Sequence, residues 1–132
     1  MAKILVIDSD FRFWKRIRAD LESQHTLHLW SIQEDLRGNL SKKHCDVAIL
    51  NFDFSEADAF LLLEQIQQLR PNIPVIATSQ CENADLIVRI MKNGVLDFLV
   101  KPFTGQKILF SIERGLETRR MKHQINYLNH SQ

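Results

Sequence analysis

Five short apolar runs alternate with segments of helical spacing along the whole chain. The runs are Ile4-Leu5-Val6-Ile7, Leu27-His28-Leu29-Trp30, Val47-Ala48-Ile49-Leu50, Val75-Ile76-Ala77-Thr78 behind Pro74, and the stretch from Val95 to Val100. Runs so short and so continuously apolar suit strands buried on both faces. Between them, 11–22 places Phe11, Trp14, Ile17, Arg18 and Leu21 at helical spacing. The segment 56–69 does the same with Ala59, Phe60, Leu63, Ile66 and Leu69, and 84–93 with Leu86, Ile87, Ile90 and Met91. A further helix is expected over 31–40, with Ser31 or Asp35 as its starter, and another from Thr104 through Ile108, Leu109, Ile112 and Leu116. Pro71 stops the third helix and Gly94 follows the fourth, where a C-terminal glycine belongs. The pattern predicts an α/β fold: a five-stranded parallel sheet, doubly wound, with helices on both faces and right-handed crossovers. With 132 residues, 45% of them hydrophobic, the chain can bury one sizeable core.

In such sheets ligands bind beyond the C-terminal strand ends, where strand order reverses. Four of the runs lead directly into polar residues: Asp8, Asn51, Ser79 and Lys101. Asn51 is a neutral amide in an otherwise charged set, and an amide lacks the anionic oxygen with which a carboxylate attacks. Asp53 lies two residues further on and, by the period of an extended segment, can lean to the same side as Asn51. It reads either as a solvated loop acid preceding the helix that starts near Glu56 or as a stand-in acceptor or metal ligand. Asp10 has the residue type of an N-cap for the first helix. Phe11, Phe13, Phe52 and Phe54 flank the polar cluster and give it an apolar rim, which favours a protein partner over a charged small ligand.

Other chemistries lack their signatures. The glycines at 38, 94, 105 and 115 form no phosphate loop. Cys45 and Cys81 are too few for a disulfide framework and read as free thiols, buried or half-buried; the five histidines, read as surface or edge residues, show no metal spacing with them. Ser79 has no histidine at a neighbouring strand end to activate it. A net charge of +1 argues against whole-surface attraction to nucleic acid or membrane, and no apolar run reaches spanning length, so a cytoplasmic protein without direct nucleic-acid contact is expected. Arg114, Arg119, Arg120, Lys122 and His123 make the C-terminal region basic. There Met121, Ile125 and Leu128 fall at coiled-coil spacing, out of phase with Leu116. This divides the chain into a domain over 1–118 and a helical extension or linker over 119–132, read either as a solvated tail or as a helix that pairs with a second copy.

The stretch Lys3-Ile4-Leu5-Val6-Ile7-Asp8-Ser9-Asp10, the run Asp46 to Asn51, Pro74-Val75 leading to Ser79, and Lys101-Pro102-Phe103 resemble the receiver domain of two-component response regulators over about residues 3–118. The resemblance implies a flavodoxin-like fold. It also implies an acidic pair holding Mg²⁺ at Asp8 and Ser9, a phosphoacceptor at Asn51, a switch hydroxyl at Ser79, an aromatic switch at Phe98, a phosphate-pairing Lys101 and a cis Lys101-Pro102 bond.

Two of those positions depart from the pattern. Asn51 replaces the phosphoacceptor carboxylate and Ser9 replaces one acidic metal ligand. Cation affinity falls with the loss of ligand charge, so Mg²⁺ is expected to bind weakly through Asp8 and Asp53 or not at all, its place taken either by a direct Asp8–Lys101 ion pair or by a water-filled pocket. The expected protein is an atypical receiver, not an enzyme and not phosphorylated at 51, that regulates signalling or transcription through protein contact. The expected contact face runs from Leu86 to Lys107 and includes Arg89, Ile90, Lys92 and Asp97. A homodimer through the C-terminal helix, or connection to an output domain, would accompany it. The alternatives are a working phosphoacceptor at Asp53 and a deliberate Asp-to-Asn change at 51, against which the second departure at Ser9 argues.

Overall fold

The computed structural model describes the backbone of residues 1–31, 33–41, 43–53 and 55–130, and their side chains except that of Glu56 and those after Met121. The elements are β1 (Lys3–Ile7), α1 (Phe11–Leu21), β2 (Thr26–Leu29), α2 (Leu36–Asn39), β3 (Val47–Asn51), α3 (Glu56–Leu69), β4 (Val75–Ser79), α4 (Ala84–Lys92), β5 (Asp97–Val100) and α5 (Gly105–His130). All strand pairs are parallel, in the order β2-β1-β3-β4-β5. This is the flavodoxin-like arrangement, and chain order reverses between β1 and β3.

Alternation along the strands divides the core into two layers. Leu5, Ile7, Ala48, Leu50, Val75 and Ala77 face one side, where Leu63, Ile66, Leu86 and Ile90 of α3 and α4 cover them. Ile4, Val6, Val47, Ile49 and Ile76 face the other, against Ile17 and Leu21 of α1 and Ile108 and Ile112 of α5. Each fully buried Ile or Leu contributes about 1.5–3 kcal/mol of burial, so a sheet covered on both faces holds itself together through these rows.

The helix starts are set locally. Asp10 caps α1 by accepting from the N–H groups of Arg12 and Phe13, and Asn83 caps α4 through Leu86. The second helix is shorter than the expected 31–40. Ser31 N–H instead donates to the Glu34 carboxylate and Asp35 caps Arg37 and Gly38, so helix begins only at Leu36. Gly94 turns the chain out of α4 with φ 91°, a conformation that excludes most L side chains. The last helix runs unbroken through Gly115 to His130. Gly115 lets α5 pack closely there: a Cβ would lie 3.0 Å from both Leu96 Cδ2 and Pro74 Cβ, so those side chains would have to give way by a few tenths of an ångström. Arg119 anchors α5 to the opposite end of the sheet by a 2.9 Å bond to Asp46. Burial opposes ionisation of Asp46, but the Lys3 N–H and Arg119 outweigh it and hold the carboxyl below its usual range. Of the expected coiled-coil residues, Met121 is exposed, and the side chains of Ile125 and Leu128 lie outside the described residues.

Several sequence expectations are corrected. Phe11 is exposed, with Lys15 over its ring, because the apolar stripe of α1 that meets the sheet is Ile17 and Leu21. Cys81 is exposed whereas Cys45 is buried. His25 is a buried residue whose Nδ1 accepts from the Ala2 N–H. Among the described residues no helix is long and apolar enough to cross a membrane.

Candidate functional site

The register of the sheet brings four polar strand ends level. Ile7 pairs with Leu50, Asn51 with Thr78, and Ser79 with Val100, so Asp8, Asn51, Ser79 and Lys101 meet at one edge of the reversal point. Continuous apolar pairing up to these residues forces the chain to release its first polar groups at a common height.

The centre of the cluster is an ion pair. Lys101 Nζ donates to Asp8 Oδ2 at 2.8 Å, with the lysine side chain 7% exposed and the aspartate side chain fully buried. The cis Lys101-Pro102 bond follows, as the family pattern implies. The ammonium also stands 4.2 Å from the centre of the Phe13 ring, which Phe103 meets edge-on. Asp8 Oδ1 accepts from the Asp10 N–H at 2.8 Å and from Asn51 Nδ2 at 3.3 Å. Asn51 thus turns its amide N–H toward the carboxylate, while its Oδ1 accepts from the Asp53 N–H at 3.1 Å. Donor and acceptor partners together define the orientation of that amide.

Asp53 is an exposed residue of the loop after β3 that is nevertheless hydrogen-bonded into the cluster. Its Oδ1 accepts from Ser79 Oγ at 2.6 Å and from the Gln80 N–H at 2.8 Å, and its Oδ2 lies 3.7 Å from Lys101 Nζ. Ser79 Oγ in turn accepts from the Cys81 N–H at 2.9 Å. The chain therefore brings Asp8, Asn51, Asp53, Ser79 and Lys101 into one hydrogen-bonded set. Two predicted residues stay apart from it. Ser9 is exposed and makes none of these bonds among the described residues, and Phe98 is half-buried against the α3–α4 side of the core.

Among the described residues of the expected aromatic rim, Phe13 alone lines the site. Phe52 is buried edge-on against Phe60, and Phe54 lies outside the described residues. Beside the cluster, a cleft of about 420 Å³ opens between α1 and the β5–α5 connection. Phe13, Ile17, Phe103 and Ile108 form its apolar walls, and Arg16 spans it by donating to the Phe103 carbonyl. That last bond, like the Asp53 contacts, joins groups far apart in sequence and has no local signal.

A hard octahedral cation needs carboxylate oxygens turned toward a shared opening. Here both Asp8 oxygens face hydrogen-bond donors, Asp53 Oδ1 faces two, Asn51 directs its N–H inward, and Ser9 is neutral and apart. The residues present do not fit Mg²⁺. Among the described residues no three His, Cys, Asp or Glu side chains are grouped to hold a metal ion.

The response regulator receiver domain family matches residues 4–113 of the chain. The chain belongs to this family. Among its relatives, the nitrogen assimilation regulatory protein NtrX of Azorhizobium caulinodans is 34% identical over 74 residues, covering 56% of this chain and 16% of that protein. The transcriptional regulatory protein ZraR of Klebsiella oxytoca is 26% identical over 125 residues, 89% of this chain and 27% of the relative. The receiver thus spans about a quarter or less of the length of these curated relatives. Many solved structures share the fold, two of them as follows. NtrX from Brucella abortus, in a crystal structure with ATP, superposes with a TM-score of 0.84 at 24% identity over 96% of this chain and 29% of its own. The CheY-like receiver domain protein from Methanospirillum hungatei gives 0.79 at 17% identity over 92% of this chain and 98% of its own. This receiver accordingly belongs to two-component signalling, and receivers act by contact with partner or output domains.

The expected contact face needs one correction. Leu86 and Ile90 are buried and form part of the core, because α4 turns them toward the sheet. The large apolar residues α4 exposes are Val88 and Met91, beside Arg89 and Lys92, while Arg89 also lies over the Phe60 ring.

Proposed function

We propose that this receiver transmits its signal through protein contact without accepting a phosphoryl group at position 51. One observation carries the reading: Asn51 occupies the end of β3 with its amide N–H on Asp8 and its oxygen on the Asp53 N–H, so position 51 presents no anionic nucleophile. Phosphoryl transfer needs an oxygen nucleophile together with a metal ion that neutralises developing charge, and the donor set here suits neither. The direct Asp8–Lys101 pair supports the same reading, since the buried Asp8 carboxylate is matched by an ammonium of the chain itself. The relatives are by name transcriptional and nitrogen-assimilation regulators of greater length, which supports a role as the regulatory part of such a protein. The end of α5, from Arg119 to His130, would serve as the connector to an output domain or as a contact between two copies.

Incubation with a small phosphodonor and Mg²⁺, followed by intact mass, tests this. The expected result is no mass gain in the native sequence and little in Asn51→Asp, because Ser9 still leaves a cation short of a ligand. A stoichiometric phosphoryl gain in the native chain that disappears in Asp53→Ala would overturn the proposal in favour of Asp53 as acceptor.

A further inference from the structure

Three donors of different chemistry converge on one carboxylate. The hydroxyl of Ser79, the peptide N–H of Gln80 and the ammonium of Lys101 surround Asp53 at 2.6, 2.8 and 3.7 Å. A hydroxyl, a peptide N–H and an ammonium gathered at parallel strand ends constitute an oxyanion-binding set. The anion that fills it belongs to the chain itself. Asp53 is also positioned from its backbone, because its N–H donates to the Asn51 amide oxygen. A carboxylate at 51 would add a third negative charge beside Asp8 and Asp53, so the neutral amide suits the inward pose of Asp53. Through Ser79, which receives the Cys81 N–H, the same carboxylate ties the start of the β4–α4 connection to the sheet.

We infer that Asp53 is the tethered occupant of an oxyanion site built by Ser79, Gln80 and Lys101, and that it excludes small free oxyanions from that site. A group held two residues from its anchor competes at an effective concentration on the order of millimolar or above, without the entropy of capture from solution. Dissolved phosphate or sulfate must therefore compete with it and binds more weakly than it would to the open site. Removing the carboxylate leaves the donors in place without their acceptor, and the gap opens to solvent, since the Asp53 side chain is 28% exposed. The inference rests on the reading that position 51 carries no phosphoryl group.

The test is titration of the full chain with inorganic phosphate, and separately with sulfate, at constant ionic strength, read by calorimetry and by the amide NMR signals of Gln80 and Cys81. Asp53→Ala is expected to bind phosphate at least ten-fold more tightly than the native chain, and addition of Lys101→Met to that variant should abolish the gain. Asp53→Asn, which keeps the bulk, should stay closed. Asp53→Ser is measured alongside, because its hydroxyl can still bond Ser79 if the alanine variant fails to fold. Equal phosphate response in the native chain and in whichever of the Ala and Ser variants folds, or a gain that survives Lys101→Met, would overturn the inference. Inorganic phosphate transfers no phosphoryl group, so failure here leaves the mass-labelling outcome for position 51 untouched.

Discussion

Breaking the Asp8–Lys101 pair should cost more than any other single change in the polar cluster. The two charges lie 2.8 Å apart with side chains 0% and 7% exposed. At an effective dielectric of about 20 their attraction is about 6 kcal/mol, most of it offset by the several kcal/mol of desolvating each ion. The net value of the pair is therefore small, but removing one partner strands the other. Such losses run at about 3–5 kcal/mol. The low end applies here, because Asp8 keeps the N–H groups of Asp10 and Asn51 and Lys101 keeps Asp53 at 3.7 Å. Lys101→Met and Asp8→Asn should each destabilise the fold by about 3 kcal/mol, and the double variant by about 4, a coupling of about 2 kcal/mol between neighbours. Urea unfolding followed by the fluorescence of Trp14 and Trp30 measures all four corners of the cycle. Single losses that simply add, within about 0.5 kcal/mol, would show that the two side chains do not stabilise one another and would refute the reasoning.

Two further outcomes concern groups outside the site. Cys45 is fully buried and burial pushes its thiol up to about 11, whereas Cys81 is exposed. One thiol per native chain should therefore react with iodoacetamide within minutes and a second only in denaturant; two fast thiols would contradict the packing beneath α3. His25 has its pKa lowered from 6.5 by burial and by the nearby N-terminal ammonium, with Glu113 opposing. Its folded form resists the proton that the unfolded chain accepts near 6.5. Stability is thus full above 6.5 and declines as pH falls from there through the lowered folded value. Urea midpoints at pH 7.5 and 5.5 should differ more for the native chain than for His25→Asn, and equal differences would remove His25 from the linkage.

The legible part of the molecule was the part governed by local period. Ile4 to Ile7 and Val47 to Leu50 are apolar at every position because both faces of a central parallel strand are covered, and that signal survives without any neighbour. Polar groups immediately after such strands, Asp8 and Asn51 among them, had to emerge at the sheet end. The Asp10 cap was readable for the same reason, since its partners are two and three residues away. Leu86 and Ile90 were readable as one helical stripe but not as the buried one, because α4 also carries Val88 and Met91 and the packing of α4 on the sheet decides which row turns inward. The second helix was overestimated because Glu34 engages both His28 and the Ser31 N–H, contacts that compete with helix from outside its own period.

Asp53 marks the boundary between the two kinds of information. Its spacing from Asn51 allowed it to face the cluster, but an extended loop residue has no obligatory partner within its own segment. The residues that hold it, Ser79, Gln80 and Lys101, come from the ends of β4 and β5 and are distant in sequence. Sequence alone determined the fold class, the level at which the polar residues surface, and the absence of a carboxylate at position 51. Only the tertiary structure decided that the charge missing from 51 is supplied from 53, because that contact depends on the register of three parallel strands, and register is a property of the packed sheet.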